Sequence, residues 1–315
     1  MERDELIIWV YVWVCEQMEA FHQELEQGHH RLRRSGFAPA LSDEEVLTLE
    51  LCGEMLRLPN DKAIYGHFKT YYQGWFPELR DRPAFVRQAA NLWRVKLWLQ
   101  QHLLYANHVE WDPIQPLDTM PLPVCAKSRA RRDRCFAGLA HKGFCAAKDL
   151  YYYGFKLGLR ITSCGLIAFH ALLQANTHDC RHLETLVEDY RGPEYGDHQG
   201  VIPVDKGFYD SRLWKQLWLR GVHMVGRGPK NVDHLRPLEL KMSAFFERWC
   251  AKIRKKVEVV AALLCTRFHI DEIRVHDLWH LEHRLLRKIL AFNLMVTLNI
   301  GLGRCPLDLD GLLRD

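Results

Sequence analysis

The chain lacks any apolar run long enough to form a membrane helix. A span needs roughly 18–20 residues, and the best candidate, IIWVYVWVC at 7–15, has nine. It also lacks a basic leader, since that stretch follows Asp4 and Glu5, so no secretory signal is expected and the protein is expected to be cytoplasmic. None of its ten cysteines forms a C-x-x-C pair, and Cys125, Cys135 and Cys145 lie too far apart for a compact zinc knuckle. Most are therefore expected to be reduced, buried, small apolar side chains. A strong charge of one sign is missing as well. The 43 Lys and Arg against 39 Asp and Glu leave +4, mild support for a polyanionic partner and no more. What is present is ample apolar content, 48% of 315 residues, which suits two domains with a sizeable core.

The amino-terminal third has helical spacing. Residues 4–26 alternate apolar and acidic positions at that period, and Ser42 with Glu45 forms a capping box ahead of VLTLELCGEML. Segments 61–73 and 82–104 continue the pattern, punctuated by Pro59, Pro77 and Pro83. Residues 1–105 are read as an all-helical, helix-turn-helix-like DNA-binding domain, with Lys69, Tyr71, Tyr72, Trp75, Arg87, Arg94 and Lys96 as its basic and aromatic residues. Most of the aromatics are assigned to its core. A second domain is placed at 106–300, and 301–315 is read as a tail.

In the second domain the period changes. LYYYGFKLGLRITS (150–163) and GLIAFHALLQAN (165–176) read as strands joined at Cys164–Gly165, and Asp179 is expected to cap a helix running to about Tyr190. VIPVDKG, SRLWKQLWLRG and VHMVGRG then read as strand, helix and strand before a long helix. The prolines of PLDTMPLPVC suggest that Asp118 lies at or beyond a strand end.

Three acids stand out in this order: Asp118, Asp205 closing the VIPV strand, and Glu258 on the helix after a basic cluster. Strand-Asp, strand-Asp, helix-Glu is the layout with which a ribonuclease-H-like mixed α/β sheet, flanked by helices, holds two divalent ions. Carboxylate oxygens suit the hard Mg²⁺ ion, and two such ions can clamp the attacking and leaving oxygens of an in-line displacement. Asp112 is a rival for the first position, and Glu247 or Glu239 for the third. His276, His280 and His283 are spaced along one helix face, where a solvated or partly buried face is favoured over a metal site.

The motifs around these acids resemble the DDE-class insertion-sequence transposases of bacteria, closest in pattern to insertion-sequence family nine-eighty-two. Asp118 precedes Pro121, Pro123, Val124 and Cys125. Tyr153, Gly154, Phe155 and Lys156 match a Y-G-x-K strand, and His178 and Asp179 match a His-Asp pair. Asp205, Lys206, Gly207 and Phe208 match the second site, with Phe208 where the pattern has Tyr. Pro229, Lys230 and Asn231 match a following loop. Lys255, Lys256, Val257 and Glu258 match the third site, with Val259 where Thr is preferred. Arg254 stands four residues before Glu258 as in related transposases, whereas Ala251 and Cys265 fill slots that those enzymes give to Tyr and Lys.

The resemblance implies Asp118, Asp205 and Glu258 as catalytic metal ligands, two Mg²⁺ ions with Mn²⁺ able to substitute, and cleavage of element ends followed by strand transfer. It also implies a homodimer on double-stranded DNA in the bacterial nucleoid. Basic residues beside the acids are the expected phosphate contacts: Lys127, Arg129, Arg131, Arg132, Lys206, Lys230, Arg254, Lys255 and Lys256. The alternatives are a ribonuclease-H-like nuclease without strand transfer and a non-catalytic DNA-binding derivative of a transposase.

Overall fold

The computed structural model of the chain describes residues 1–28, 32, 39–126, 128, 130–132, 134–145, 149–188, 190, 200–226 and 243–313. In chain order the helices are α1 (Arg3–Gln27), α2 (Asp43–Met55), α3 (Asp61–Tyr71), α4 (Arg82–Asn91), α5 (Trp93–Ala106), α6 (Leu183–Val187), α7 (Ser211–Leu219), α8 (Ala244–Thr266) and α9 (Leu278–Gly301). The strands are β1 (Leu117–Ala126), β2 (His141–Cys145), β3 (Leu150–Ile161), β4 (Ile167–Gln174), β5 (Gly200–Pro203) and β6 (Val222–Val225). Among the described residues no helix is long and apolar enough to cross a membrane.

The chain forms two compact units, one of Met1–Leu103 with Thr266–Asp315 and one of Leu104–Cys265. This differs from the boundary read at residue 300, because α9 is buried on nearly every face and completes the helical unit rather than the sheet unit. Residues 301–313 are no free tail either. Leu309 and Leu312 are buried, and Asn299 donates to the carbonyls of Pro306 and Asp308.

In the helical unit the capping box of α2 forms as read, Glu45 N to Ser42 Oγ at 3.1 Å and Ser42 N to Glu45 Oε2 at 2.7 Å. The continuous pattern at 82–104 is instead two helices, broken at Leu92. The core contains charge as well as carbon. Glu50 and Glu54 of α2 are buried and pair with Lys96 of α5 and with Arg287 and Lys288 of α9, at 2.7–2.9 Å. Asp61 joins through Arg287 at 2.7 Å and through Arg284. Lys96, counted among the basic residues of the helix-turn-helix-like domain, is thus a fully buried core residue. A buried charge survives only when paired and hydrogen-bonded, so these groups hold one another in place.

In the sheet unit, β3 is central. β1 runs antiparallel along one edge, and β4 and β2 lie end to end along the other. β5 and β6 pair in parallel. Ile114 forms a parallel bridge to Val201, reinforced by Gln115 N to Val201 O at 3.0 Å and Val201 N to Pro113 O at 2.7 Å. The strand order is therefore β4-β3-β1-β5-β6. One core of this unit gathers Leu117 and Leu173 of the sheet, Leu183, Leu186 and Val187 of α6, Ile202 of β5, Trp214 and Leu217 of α7, and Val222 and Met224 of β6.

Asp118 lies inside β1, opposite Leu159, and not beyond a strand end. The prolines mislead because of parity. Ile161 N donates to Pro116 O while Gln115 N donates to β5, so odd-numbered residues of this strand aim their nitrogens away from β3. Pro121 and Pro123 are odd-numbered, and their missing donors fall outside the β1–β3 ladder.

Candidate active site

The parallel bridge sets the register of the first two acids. Asp118 stands four residues beyond Ile114, and Asp205 four residues beyond Val201, and the charge of Asp205 bears on the Asp118 carboxyl. Asp205 follows β5 through Val204, whose amide donates to Val225 O at 2.8 Å, and opens a 3-10 turn at Lys206–Phe208. Trp214 locks that turn from α7, its Nε1 donating to Phe208 O at 3.0 Å. Asp210 then caps α7 through the amides of Arg212 and Leu213, both at 3.0 Å.

Asp118 is only 26% exposed, and its Oδ1 accepts the amide of Thr119 at 2.8 Å. Burial, with the charges of Asp205 and Asp179, pushes its carboxyl up to about 6, against the opposing pull of the Thr119 amide and Arg254. Asp179 was not among the expected acids of the site. It opens a 3-10 turn rather than capping a helix to Tyr190; that helix is the five-residue α6. Its carboxylate is taken by Lys156 Nζ at 2.8 Å and Thr119 Oγ1 at 3.1 Å. The His178–Asp179 motif was the signal that could have marked it.

The third acid comes from α8. Its inward stripe repeats at helical spacing through Cys250, Arg254 and Val257. Arg254 donates from Nη1 to Asp118 Oδ2 at 3.2 Å and from Nη2 to Glu258 Oε1 at 3.0 Å, so a single guanidinium joins the first and third acids. Glu258 is the more exposed of the two, at 56%. Beside them a cavity of about 430 Å³ is lined by Asp205, Glu247, Ala251, Lys252 and Arg254. Glu247 thus shares a cavity with Asp205. Asp112, the rival first acid, is consumed by a turn: it accepts from Ser163 N and Oγ at 2.6 and 2.8 Å and from Ile114 N at 3.0 Å.

Whether these residues suit divalent ions is a question of donors and charge. The donors are hard carboxylate oxygens, and the charge of the exposed Asp205 bears on the partly buried Asp118, a repulsion that a cation relieves. Among the described residues no three His, Cys, Asp or Glu side chains are grouped to hold an ion as they stand. The positive charge between Asp118 and Glu258 is that of Arg254. The donor set fits, with Arg254 as the resident cation.

Of the expected phosphate contacts, Arg131, Arg132, Lys206, Lys255 and Lys256 are exposed, and Lys256 Nζ donates to Ser163 O. Lys127, Arg129, Lys230 and the rival acid Glu239 lie outside the described residues, as does the loop Pro229–Asn231. His283 is buried, and His280 Nδ1 is 2.6 Å from Asp277 Oδ2 at the cap of α9. The cysteines differ from expectation: Cys52 and Cys250 alone of the ten are buried.

No curated protein matches the chain. Among solved structures, the cryo-EM structure of a piggyBac transposase synaptic complex with hairpin DNA is similar at 10% identity and a TM-score of 0.47, over 97% of this chain and 76% of that one. The profile of the family described as Transposase DDE domain matches residues 109–277, just over half of the chain and all of the acids above. The chain belongs to that family and is a transposase.

Proposed function

We propose that the chain cleaves DNA at the ends of an insertion sequence and joins the freed 3′-hydroxyl to target DNA, with Asp118, Asp205 and Glu258 seating two Mg²⁺ ions. Mn²⁺ is expected to serve in their place. The observation that carries this reading is the placement of Asp118 and Asp205 at equal distances beyond one parallel bridge. The strand order β4-β3-β1-β5-β6, three antiparallel strands followed by two parallel ones, supports reading the sheet unit as ribonuclease-H-like.

Bound at the acids, the ions supply polarisation of the scissile phosphate and activation of water or the 3′-hydroxyl. The chain supplies position and charge. Asp118 and Asp205 form the fixed anionic pair, and Glu258 joins them from α8. Arg254, already between two acids, balances their charge and meets substrate phosphate. Lys206, next to Asp205, and Lys255, next to Arg254, flank the path of the DNA backbone, with Arg131 and Arg132 extending it. Glu258 rather than Glu247 is assigned as the third ligand because it shares Arg254 with Asp118. The helical unit is read as the helix-turn-helix-like module that grips element ends, and two copies are read as joining two ends. Membership of insertion-sequence family nine-eighty-two and a bacterial, cytoplasmic setting belong to the same reading.

The test is Asp205→Ala on a plasmid carrying the inverted repeats that flank the coding sequence. Lost Mg²⁺-dependent cleavage with retained DNA binding supports the assignment; wild-type cleavage refutes it. Glu258→Ala beside Glu247→Ala decides the third acid. A pre-cut 3′ end tests the joining step alone.

A further inference from the structure

Asp179 stands outside the expected triad and yet touches three segments around it. Its Oδ1 accepts from Lys156 Nζ on β3 at 2.8 Å and from Thr119 Oγ1 on β1 at 3.1 Å. Lys156 also donates to Thr177 O at 2.8 Å, which locks the turn at 177–179 onto the sheet. Thr119 in turn holds Asp118, because its amide donates to Asp118 Oδ1 at 2.8 Å. On its other side, Asp179 Oδ2 faces the turn that follows Asp205. A Cβ on Gly207 would lie 3.6 Å from that oxygen, an ordinary contact distance.

The faces of the sheet argue against Asp179 as a further metal ligand. Pro121 pairs with Lys156 and Thr119 with Gly158, so Thr119 and Lys156 project to one face, while Asp118 and its partner Leu159 project to the other. Asp179 reaches the face of Thr119 and Lys156, and its near oxygen is already shared by two donors. A carboxylate neutralised by an ammonium that is itself only 15% exposed is placed to hold geometry.

We propose that Asp179 is a positioning residue for the paired acids: paired with Lys156, it fixes Thr119 and keeps Asp118 level with the Asp205 turn. The proposal rests on the reading of Asp118 and Asp205 as metal-holding acids. Groups that hydrogen-bond and orient metal ligands contribute about 10–100-fold to metal affinity when removed singly. Loss of the Asp179 charge also leaves the Lys156 ammonium uncompensated close to the site, which opposes a cation.

The experiment measures Mn²⁺ binding to the full chain without DNA, by the loss of the free-ion paramagnetic resonance signal, together with thermal melting. Asp179→Asn is expected to weaken Mn²⁺ binding about tenfold and to raise the Mn²⁺ concentration for half-maximal nicking of a supercoiled plasmid by the same factor. The double variant Asp179→Asn/Lys156→Gln is expected to recover part of that loss. A purely structural role lowers the melting temperature without moving Mn²⁺ affinity, and that result overturns the proposal. Asp205→Ala separates the two failures. If it binds Mn²⁺ like wild type, the reading of the acids fails and the proposal with it. If it loses binding while Asp179→Asn keeps wild-type affinity, the positioning role alone is wrong. Should Asp179→Asn not fold, Thr119→Val removes the same link without stranding a charge; wild-type Mn²⁺ affinity in that variant overturns the proposal.

Discussion

Arg254 and Asp118 meet across α8 and β1 at 3.2 Å, and the same guanidinium turns its second nitrogen to Glu258. A forked donor set is needed for this, because two carboxylates on different elements are reached from one side chain.

Arg254→Lys is therefore not conservative here. The ammonium can follow one acid and not both. Plasmid cleavage should fall by at least about tenfold, while the melting temperature moves little, because the Glu258 arm of the bridge is largely solvated and such pairs contribute about 0–1 kcal/mol. Cleavage at the wild-type rate would remove Arg254 from the working site.

Acid should unfold the helical unit from an unusual starting point. Burial, then the charges of Lys96, Arg287 and Arg284, hold the His283 imidazole down to about 3. In the unfolded chain it titrates near about 6.5. Between those values the unfolded state binds the proton and the folded state does not, so stability falls as pH falls. By pH 5 the loss from this one group is about 2 kcal/mol. Asp61 acts with the same sign at lower pH. Burial raises its carboxyl, but Arg287 and Arg284 outweigh that and hold it below its ordinary range, so its contribution is lost as pH falls through the acid region. Urea midpoints at pH 7 and pH 5 check this, and His283→Leu should flatten the difference between them.

Lys96→Met should cost about 3–5 kcal/mol, since it removes one of the two cations paired with Glu50, a carboxylate with no exposure, and leaves Arg287 alone to balance it. DNA affinity of whatever folded protein remains should be unchanged. A specific loss of DNA binding at full stability would mean that Lys96 is a surface cation after all.

Gly154→Ala should be among the most damaging single-methyl additions in the sheet unit. A Cβ there collides with the carbonyl of Leu122 and comes within 2.9 Å of Val124 N, backbone atoms of β1 that cannot rotate away. Overpacking of this kind costs about 1–3 kcal/mol. Gly158→Ala meets only the side chains of Leu186 and Leu173, so thermal melting should rank it as the milder change.

The parts of this molecule visible in the sequence are those fixed by local rules. The capping box at Ser42 and the turn at Cys164–Gly165 needed only neighbours, and Gly165 indeed adopts φ 102°. Asp205 stands out in the sequence because a carboxylate closing an apolar run such as VIPVD has little structural use. Long-range pairing was hidden. Lys96 looks like a surface cation until Glu50 and Arg287 are brought beside it, and nothing within a few residues announces either. Asp179 looked like a helix cap because caps are what an isolated Asp before a helical pattern does; Thr119 and Lys156, 60 and 23 residues away, claim it instead. The prolines of β1 misled for a similar reason, since a strand's tolerance of proline depends on which way each nitrogen faces.

Those same prolines have an effect beyond their own strand. β5 joins β1 only around Ile114 and stops at Pro203, so the margin of β1 past that fork carries no neighbour among the described strands. With nitrogens 121 and 123 unable to donate along it, a wandering strand from another molecule finds no continuous ladder to zip onto. A seam that could have invited self-association during folding is thereby closed to pairing at Pro121 and Pro123, just beyond Asp118.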